Sequence, residues 1–457
     1  MSLDAGVFIA ILTLFAMIGI AKNRKIQLEE SYLFAERKCG LFGLTCTLIM
    51  TELNTATLFA FAGLGYIVGF RALFLPLIFL IGLVFYGLSV AKKYKELNAS
   101  SVTALLRERY GKPFAQLASI FLIGSMMGFT ATYVKSVTLI FSPVFPMWNR
   151  WILSGCLVLV ILLMTLRGGL IAIIRTDITS FLLICLIFPL FLFYTKREAG
   201  ASEIQSLPDL LPYRFIISLV ILSMFTYILA PWYGQKIFSA KSKSVAFSAV
   251  ILAAIFVFIF YGVGVLSTAY LKASGIVISS PDMVIPAIIN LYFPAGLKGV
   301  AYATLFMISG TTLAGVWSAM SSMVITDFGR SSTNYRQGLL LTLLFAATSY
   351  VLGNTLVDKI LDKLILANIP VAALSFALLA GFYWKKASTT GAVLSSIIGF
   401  SWGLFCFLYF GEKGLYTWYW ALWGIPLIFG SGILGSFLSL SKIKSQLKKI
   451  NLVKNLN

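Results

Sequence analysis

The stretch FPAGLKGVAYATLFMISGTTLAGVWSAMSSMVITDF, residues 293–328, decides the fold class. Between Lys298 and Asp327 it contains no charged residue. A helix needs about 20 mainly apolar residues to cross a bilayer, so this run reads as a membrane span. Its middle is unusually polar for that setting: Ser309-Gly310-Thr311-Thr312, followed by Ser318, Ser321 and Ser322. Hydroxyls at mid-span can bond back to carbonyls of their own helix. Gly310 and Ala314 also offer a small-residue packing face. Equally, hydroxyl and freed carbonyl oxygens are hard ligands suited to a bare alkali cation. The residues alone leave these readings open.

The rest of the chain has the same character. Of its 457 residues, 59% are hydrophobic and 11% charged, with a mean hydropathy of +0.93. A soluble domain carries about 25% charged residues, so a set of water-coated domains is excluded. There is no histidine, which excludes His-ligated metals, Ser-His-Asp triads and imidazole proton relays. The five cysteines (Cys39, Cys46, Cys156, Cys185 and Cys406) are unclustered and indicate neither a zinc site nor a disulfide framework. No carboxylate pair falls within a span and no cysteine sits in a nucleophile's setting, so an enzyme is not expected. The net charge of +20 would suggest nucleic acid in a soluble protein. In a chain this apolar it instead reports which side of a membrane the cations occupy, and no nucleic-acid partner is expected.

Apolar runs predict an all-α polytopic membrane protein with about thirteen transmembrane helices. They are 5–21, 42–68, 72–91, 114–141, 151–166, 170–195, 214–232, 245–271, 297–326, 337–353, 364–383, 389–410 and 416–440. The first begins MSLDAG, without a cationic leader or a small-residue cleavage site, and reads as a retained span. Alternate loops collect about 25 of the 36 Lys and Arg residues, and the positive-inside rule makes that side cytoplasmic. The expectation is a plasma (inner) membrane protein with its N-terminus outside and its C-terminus cytoplasmic. The basic tail 441–457 reads as a solvated or headgroup-touching end. The loop sequence SSPDMVIPAIINLYFP, residues 279–294, suggests a small surface helix.

Function in such a chain is sought where spans are polar or interrupted. Span two carries Thr45, Thr47, Thr51, Glu52, Asn54, Thr55 and Thr57, then Gly63 and Gly65. Glu52 is the lone carboxylate near the centre of a span, where a charge costs about 2.5–3.5 kcal/mol, so it should face a cavity or a partner. Span seven ends APWYGQK, with Pro231 and Gly234 interrupting the helix. Broken segments at matching places in two halves point to an inverted-repeat transporter. Lys135 and Asp177 are further ionisable residues in or near spans; Lys135 reads as a snorkelling side chain.

Six segments, in order, resemble the sodium/solute symporter family, which includes carriers of proline, galactose, pantothenate and sialic acid. They are SYLFAERKCGLFGL (31–44), AGLGYIVGF (62–70), GGLIAIIRTD (168–177), YGQKIFSAKS (233–242), the 293–328 stretch and WKKASTTGAVLSSIIG (384–399). The resemblance implies a five-plus-five inverted repeat of the LeuT type, in one transporter domain. An extra helix at 5–21 precedes repeat one (42–195), repeat two (214–383) and two C-terminal helices (389–440). It further implies a sodium site built from the carbonyls of Met50, Leu53 and Ile308 and the hydroxyls of Thr311 and Thr312. Substrate contacts are implied for Glu52, Thr55, Thr57 and Trp232. The family's pattern is departed from at Arg175, Phe238, Trp317 and Ala319.

The expected function is sodium-coupled import of a small polar solute by alternating access. The bilayer, the solute and sodium would be the partners, and sodium the one coupling ion in place of a cofactor. Two alternatives are weighed: a proton-coupled carrier of the same fold, with Glu52 titrating, and a transport-inactive ligand sensor. Some relatives hold a second sodium on an aspartate, at the position of Asp177, with hydroxyls three residues beyond the first pair. Here those positions are Ala314 and Gly315, so one sodium per solute is expected and Asp177 is expected to pair with a cation, Arg175 among the choices.

Overall fold

A computed structural model describes residues 3–20, 37–97, 101–165, 169–200, 202–204, 210–329, 335–412 and 414–454. Its elements are helices, because a lipid interior offers no partner to an unpaired backbone group. In chain order they are α1 (Leu3–Ile20), α2 (Leu41–Glu52), α3 (Thr55–Val68), α4 (Phe74–Tyr86), α5 (Val102–Tyr110), α6 (Lys112–Phe141), α7 (Arg150–Thr165), α8 (Gly169–Ala199) and α9 (Tyr213–Tyr227). They continue with α10 (Pro231–Phe238), α11 (Lys243–Ala273), α12 (Val284–Tyr292), α13 (Leu297–Phe328), α14 (Tyr335–Thr355), α15 (Ile360–Ala373), α16 (Ser375–Tyr383), α17 (Thr389–Phe410) and α18 (Ile425–Lys454).

Among the described residues nine helices are long and apolar enough to cross a membrane, or ten if the bent pair α9–α10 counts as one span. The figure differs from the expected thirteen for two reasons. Residues Thr55–Glu96 form one uninterrupted helical run that covers the end of span two and all of span three, passing through a tight turn at Gly69–Leu73. Among the described residues the apolar helical stretches Leu3–Met17, Leu41–Glu52 and Arg150–Leu163 are too short to be counted as crossings. The membrane character itself is plain, since long apolar helices make up most of the chain.

Local sequence sets the helix starts. Ser101, Ser242 and Ser388 each accept a hydrogen bond from a backbone N–H three residues on, which satisfies a donor the helix itself leaves open. The core gathers around α13, which is the most enclosed of the long helices. It packs against α6, α8, α2, α14 and α1. The α1 helix is tied to it by Asp4, whose carboxylate accepts from the Gly296 N–H at 2.6 Å. On the other side α3 lies against α11 so closely that a Cβ on Gly65 would fall 2.7 Å from the Val265 carbonyl oxygen, so only glycine fits. The helix α12, expected on the surface, is instead half-sunk: Val284, Ile285, Ile288 and Ile289 are buried, and α12 packs against α3 and α8. Its apolar face explains this, because VIPAII has more to gain from packing than from water. The α18 backbone continues helically into the basic tail.

Candidate functional site

The two interruptions lie at the centre. The α2 helix stops at Glu52, Leu53 and Asn54 adopt extended backbone, and α3 starts at Thr55. Asn54 brings this about. Its Oδ1 accepts from the Thr57 N–H at 2.8 Å and so caps α3, while its Nδ2 donates to the Glu52 carbonyl at 3.0 Å. Tyr261 of α11 locks the break from outside, donating to the Glu52 carbonyl at 2.6 Å and accepting from the Asn54 N–H at 3.1 Å. The second break falls at Ile228–Ala230, just before Pro231 rather than within Pro231–Gly234, and bends α9 against α10 by 46°. Proline opens α10 because it needs no donor at a helix's first position.

Two cavities flank the broken α2–α3 segment. The larger, of about 110 Å³, is lined by Glu52, Asn54, Thr57, Trp232 and a set of aromatic rings. The smaller, of about 10 Å³, has room for roughly one water-sized occupant. Its walls include Thr51, Trp232, Lys236, Thr311, Thr312 and Ser318. Thr51 and Trp232 border both.

The structure brings part of the proposed ion site together. The Thr312 hydroxyl reaches across from α13 to the Met50 carbonyl of α2 at 3.1 Å and also meets the Ile308 carbonyl at 2.8 Å. Thr311 lines the same small cavity while bonding back to Met307 at 3.0 Å. Leu53 lies fully buried at the break itself. A Cβ on Gly310 would meet Ile161 of α7 at 3.4 Å, so this position faces a packed helix while Thr311 and Thr312 face the cavity.

Of the proposed substrate contacts, Glu52, Thr57 and Trp232 line the larger cavity. Thr55 does not: its hydroxyl bonds Ser136 of α6 and Ser309 of α13, which makes it a three-helix tie. Glu52 is only 4% exposed. Tyr227 of α9 donates to its Oε2 at 2.7 Å, and Oε1 is buried without a hydrogen bond. The Trp232 ring packs edge-on against Phe129 of α6, with centroids 5.3 Å apart.

Asp177 lies elsewhere and pairs with a lysine from the second broken segment. Lys236 of α10 donates to Asp177 Oδ2 at 2.9 Å and to the Thr47 carbonyl at 3.0 Å. The Thr47 hydroxyl donates to the same carboxylate oxygen. Asp177 and the Lys236 side chain are both buried. The cue was present in PWYGQKIF, where a single lysine falls in a mostly apolar stretch directly after a helix break. A third buried acid, Asp327 at the end of α13, accepts from Arg107, Thr103 and Ser119 and ties α13 to α5 and α6. Lys135 does not line either cavity. It faces Asp282 in the turn before α12, where burial pushes the Asp282 carboxyl above its usual range and Lys135 draws it partway back.

Interrupted helices around a buried polar centre are the usual setting of ion and substrate sites in secondary transporters. Residues 32–399 match the sequence profile described as the sodium:solute symporter family. The chain belongs to that family. It is therefore a membrane transporter of the symporter class and not an enzyme. Among solved structures, a Na+-coupled sialic acid symporter in a substrate-bound outward-open state matches over 95% of this chain and 97% of its own, with 16% identity and a TM-score of 0.76. A nucleobase-cation-symport-1 family transporter, closed with bromovinylhydantoin bound, matches over 89% and 96%, with 12% identity and a TM-score of 0.60. The Eremococcus coleocola manganese transporter, in complex with an aromatic bis-isothiourea substituted compound, matches over 94% and 95%, with 12% identity and a TM-score of 0.50. At these identities the likeness is one of fold, the LeuT-type helical architecture. No curated protein sequence matches.

Proposed function

We propose that this symporter couples the inward flow of one sodium ion to the import of a small polar solute. The observation that carries the reading is the Thr312 hydroxyl held between the carbonyls of Met50 and Ile308, at the break in α2–α3. A desolvated cation would be ligated by these carbonyl oxygens and by the Thr312 hydroxyl oxygen, which keeps its proton and turns it away, joined by Leu53 and Thr311. Binding there would fix the broken segment that also lines the solute cavity, and so couple ion to solute. Repeat one at 42–195 would then supply the first break and repeat two at 214–383 the second. The N-terminus would face outward and the C-terminus the cytoplasm of a cell bounded by this inner membrane.

The stoichiometry of one is supported by Ala314 and Gly315, which carry no side-chain oxygen, and by Lys236, whose ammonium stands on Asp177. One cation falling through about 100 mV yields about 2.3 kcal/mol, and a tenfold gradient adds about 1.4 kcal/mol. Together they sustain roughly 500-fold accumulation of a neutral solute. The test is sodium dependence in reconstituted protein. Thr311→Ala or Thr312→Ala should raise the sodium concentration for half-maximal response tenfold or more, with a wild-type Hill coefficient near 1. Unchanged dependence in both variants sinks the site, and a coefficient approaching 2 sinks the stoichiometry.

A further inference from the structure

We infer that the solute carries a positively charged nitrogen, seated against Glu52. This rests on the larger cavity being the solute site. Of the residues lining it, Glu52 is the one carboxylate, and no lysine or arginine is among them. An anionic solute would meet a carboxylate and find no cationic partner in the cavity wall. The basic group nearest in its effect, Lys236, already bonds Asp177 and the Thr47 carbonyl and borders only the small cavity.

The rest of the wall fits the same solute. Phe61, Phe79, Phe129, Tyr133, Tyr227 and Trp232 supply six rings. Aromatic faces attract an ammonium through their negative quadrupole, and tryptophan does so best. Such rings also satisfy an alkylated nitrogen, which offers few or no hydrogen-bond donors. Glu52 Oε1 is buried and makes no hydrogen bond, though the Trp232 indole is close enough to act on the carboxylate. A buried carboxylate oxygen left in this condition is suited to a cation that arrives with the solute. Asn54, Thr57, Ser223 and Asn368 remain for a polar end. The size is limited as well. At roughly 10–15 Å³ of such space per water-sized group, 110 Å³ holds on the order of ten heavy atoms.

The experiment is binding to purified full-length protein in lipid nanodiscs, read by tryptophan fluorescence and thermal stability in sodium and in potassium buffer. The probes are choline, glycine betaine and ethanolamine, each bearing an ammonium; dimethylbutanol, the uncharged carbon isostere of choline; and sialic acid, an anion. Sodium alone is titrated first. A protein that shows no response to sodium defeats the coupling reading, whatever the probes do. With sodium binding in place, at least one ammonium probe should bind tenfold or more tightly than dimethylbutanol, and sialic acid should not bind. Glu52→Gln should shrink the preference of choline over its isostere to within about threefold, a ratio that cancels any general loss of affinity. The inference is overturned if the isostere or sialic acid binds as well as the ammonium probes, if Glu52→Gln leaves the preference intact, or if no ammonium probe binds at millimolar concentration to sodium-responsive protein.

Discussion

Two buried carboxylates lie on either side of the Trp232–Lys236 segment, and they are handled in opposite ways. Asp177 has its own cation: Lys236 sits 2.9 Å away, and Thr47 donates to the same oxygen. Glu52 has a phenol, Tyr227, on one oxygen and no hydrogen bond on the other. An isolated charge out of water costs several kcal/mol, so a buried acid that is ionised needs a counter-charge. The first finds it within the chain and becomes part of the scaffold joining α2, α8 and α10. The second has no cation bonded to it within the chain, and under the proposed reading the counter-charge arrives with the solute. The difference teaches that burial of an acid does not mark a site; burial without an internal cation does.

The comparison is broken most severely by taking away the lysine. Lys236→Met keeps the side-chain volume but strands Asp177, and removing one partner of a buried pair typically costs about 3–5 kcal/mol. The variant should unfold at a clearly lower temperature or fail to accumulate. Adding Asp177→Asn, which leaves no charge behind, should recover most of the loss. Thermal unfolding of the two variants beside wild type checks this. Equal stability of all three proteins would mean that Asp177 is not held by Lys236.

How far the sequence revealed this contrast depends on what each residue's neighbours in the chain could say. The helical membrane class followed from uncharged runs such as 299–326, and the break at Asn54 from a cluster of short polar residues that cap and turn. Glu52 stood out because its surroundings are apolar or uncharged. Its partners Tyr227 and Tyr261 come from α9 and α11, far along the chain, and nothing in local pattern singles out one tyrosine among 20. In the sequence Lys236 looks like any cation near a span end, and such cations ordinarily snorkel to water. Only the packing of α10 against α2 turns it inward. Thr55 runs the other way: a hydroxyl beside the break looks like a ligand, and in the structure it bonds Ser136 of α6 and Ser309 of α13.

A gentler change falls on the other acid. Glu52→Gln retains an acceptor for Tyr227, so the fold should persist, with wild-type levels of purified protein. The carboxylate's field at the neighbouring ion cavity is lost, and sodium affinity should fall by about tenfold, equivalent to about 1.4 kcal/mol. Sodium titration of thermal stability measures it. Unchanged sodium affinity joined to a loss of pH dependence in transport would instead favour proton coupling at Glu52.

The smallest expected effect belongs to Tyr227→Phe. The ring stays, packed edge-on against Phe79 at 5.9 Å between centroids, and only the hydroxyl is removed. A hydrogen bond to a charged group contributes about 1.5–3 kcal/mol net, and one between neutral groups about 0.5–1.5 kcal/mol. Part of that loss is regained, because the carboxylate released from Tyr227 can turn toward an incoming cation. Sodium affinity should therefore weaken by only about threefold, or about 0.7 kcal/mol. If Tyr227 acts through the charge on Glu52, its removal should matter less once Glu52 is already glutamine. The double-mutant cycle of Tyr227→Phe with Glu52→Gln should then show a coupling of about 0.5 kcal/mol or more. Strict additivity would mean that the phenol merely supports the bend between α9 and α10. In that case Glu52 would have no internal partner that depends on its charge, and its contrast with Asp177 would be sharper still.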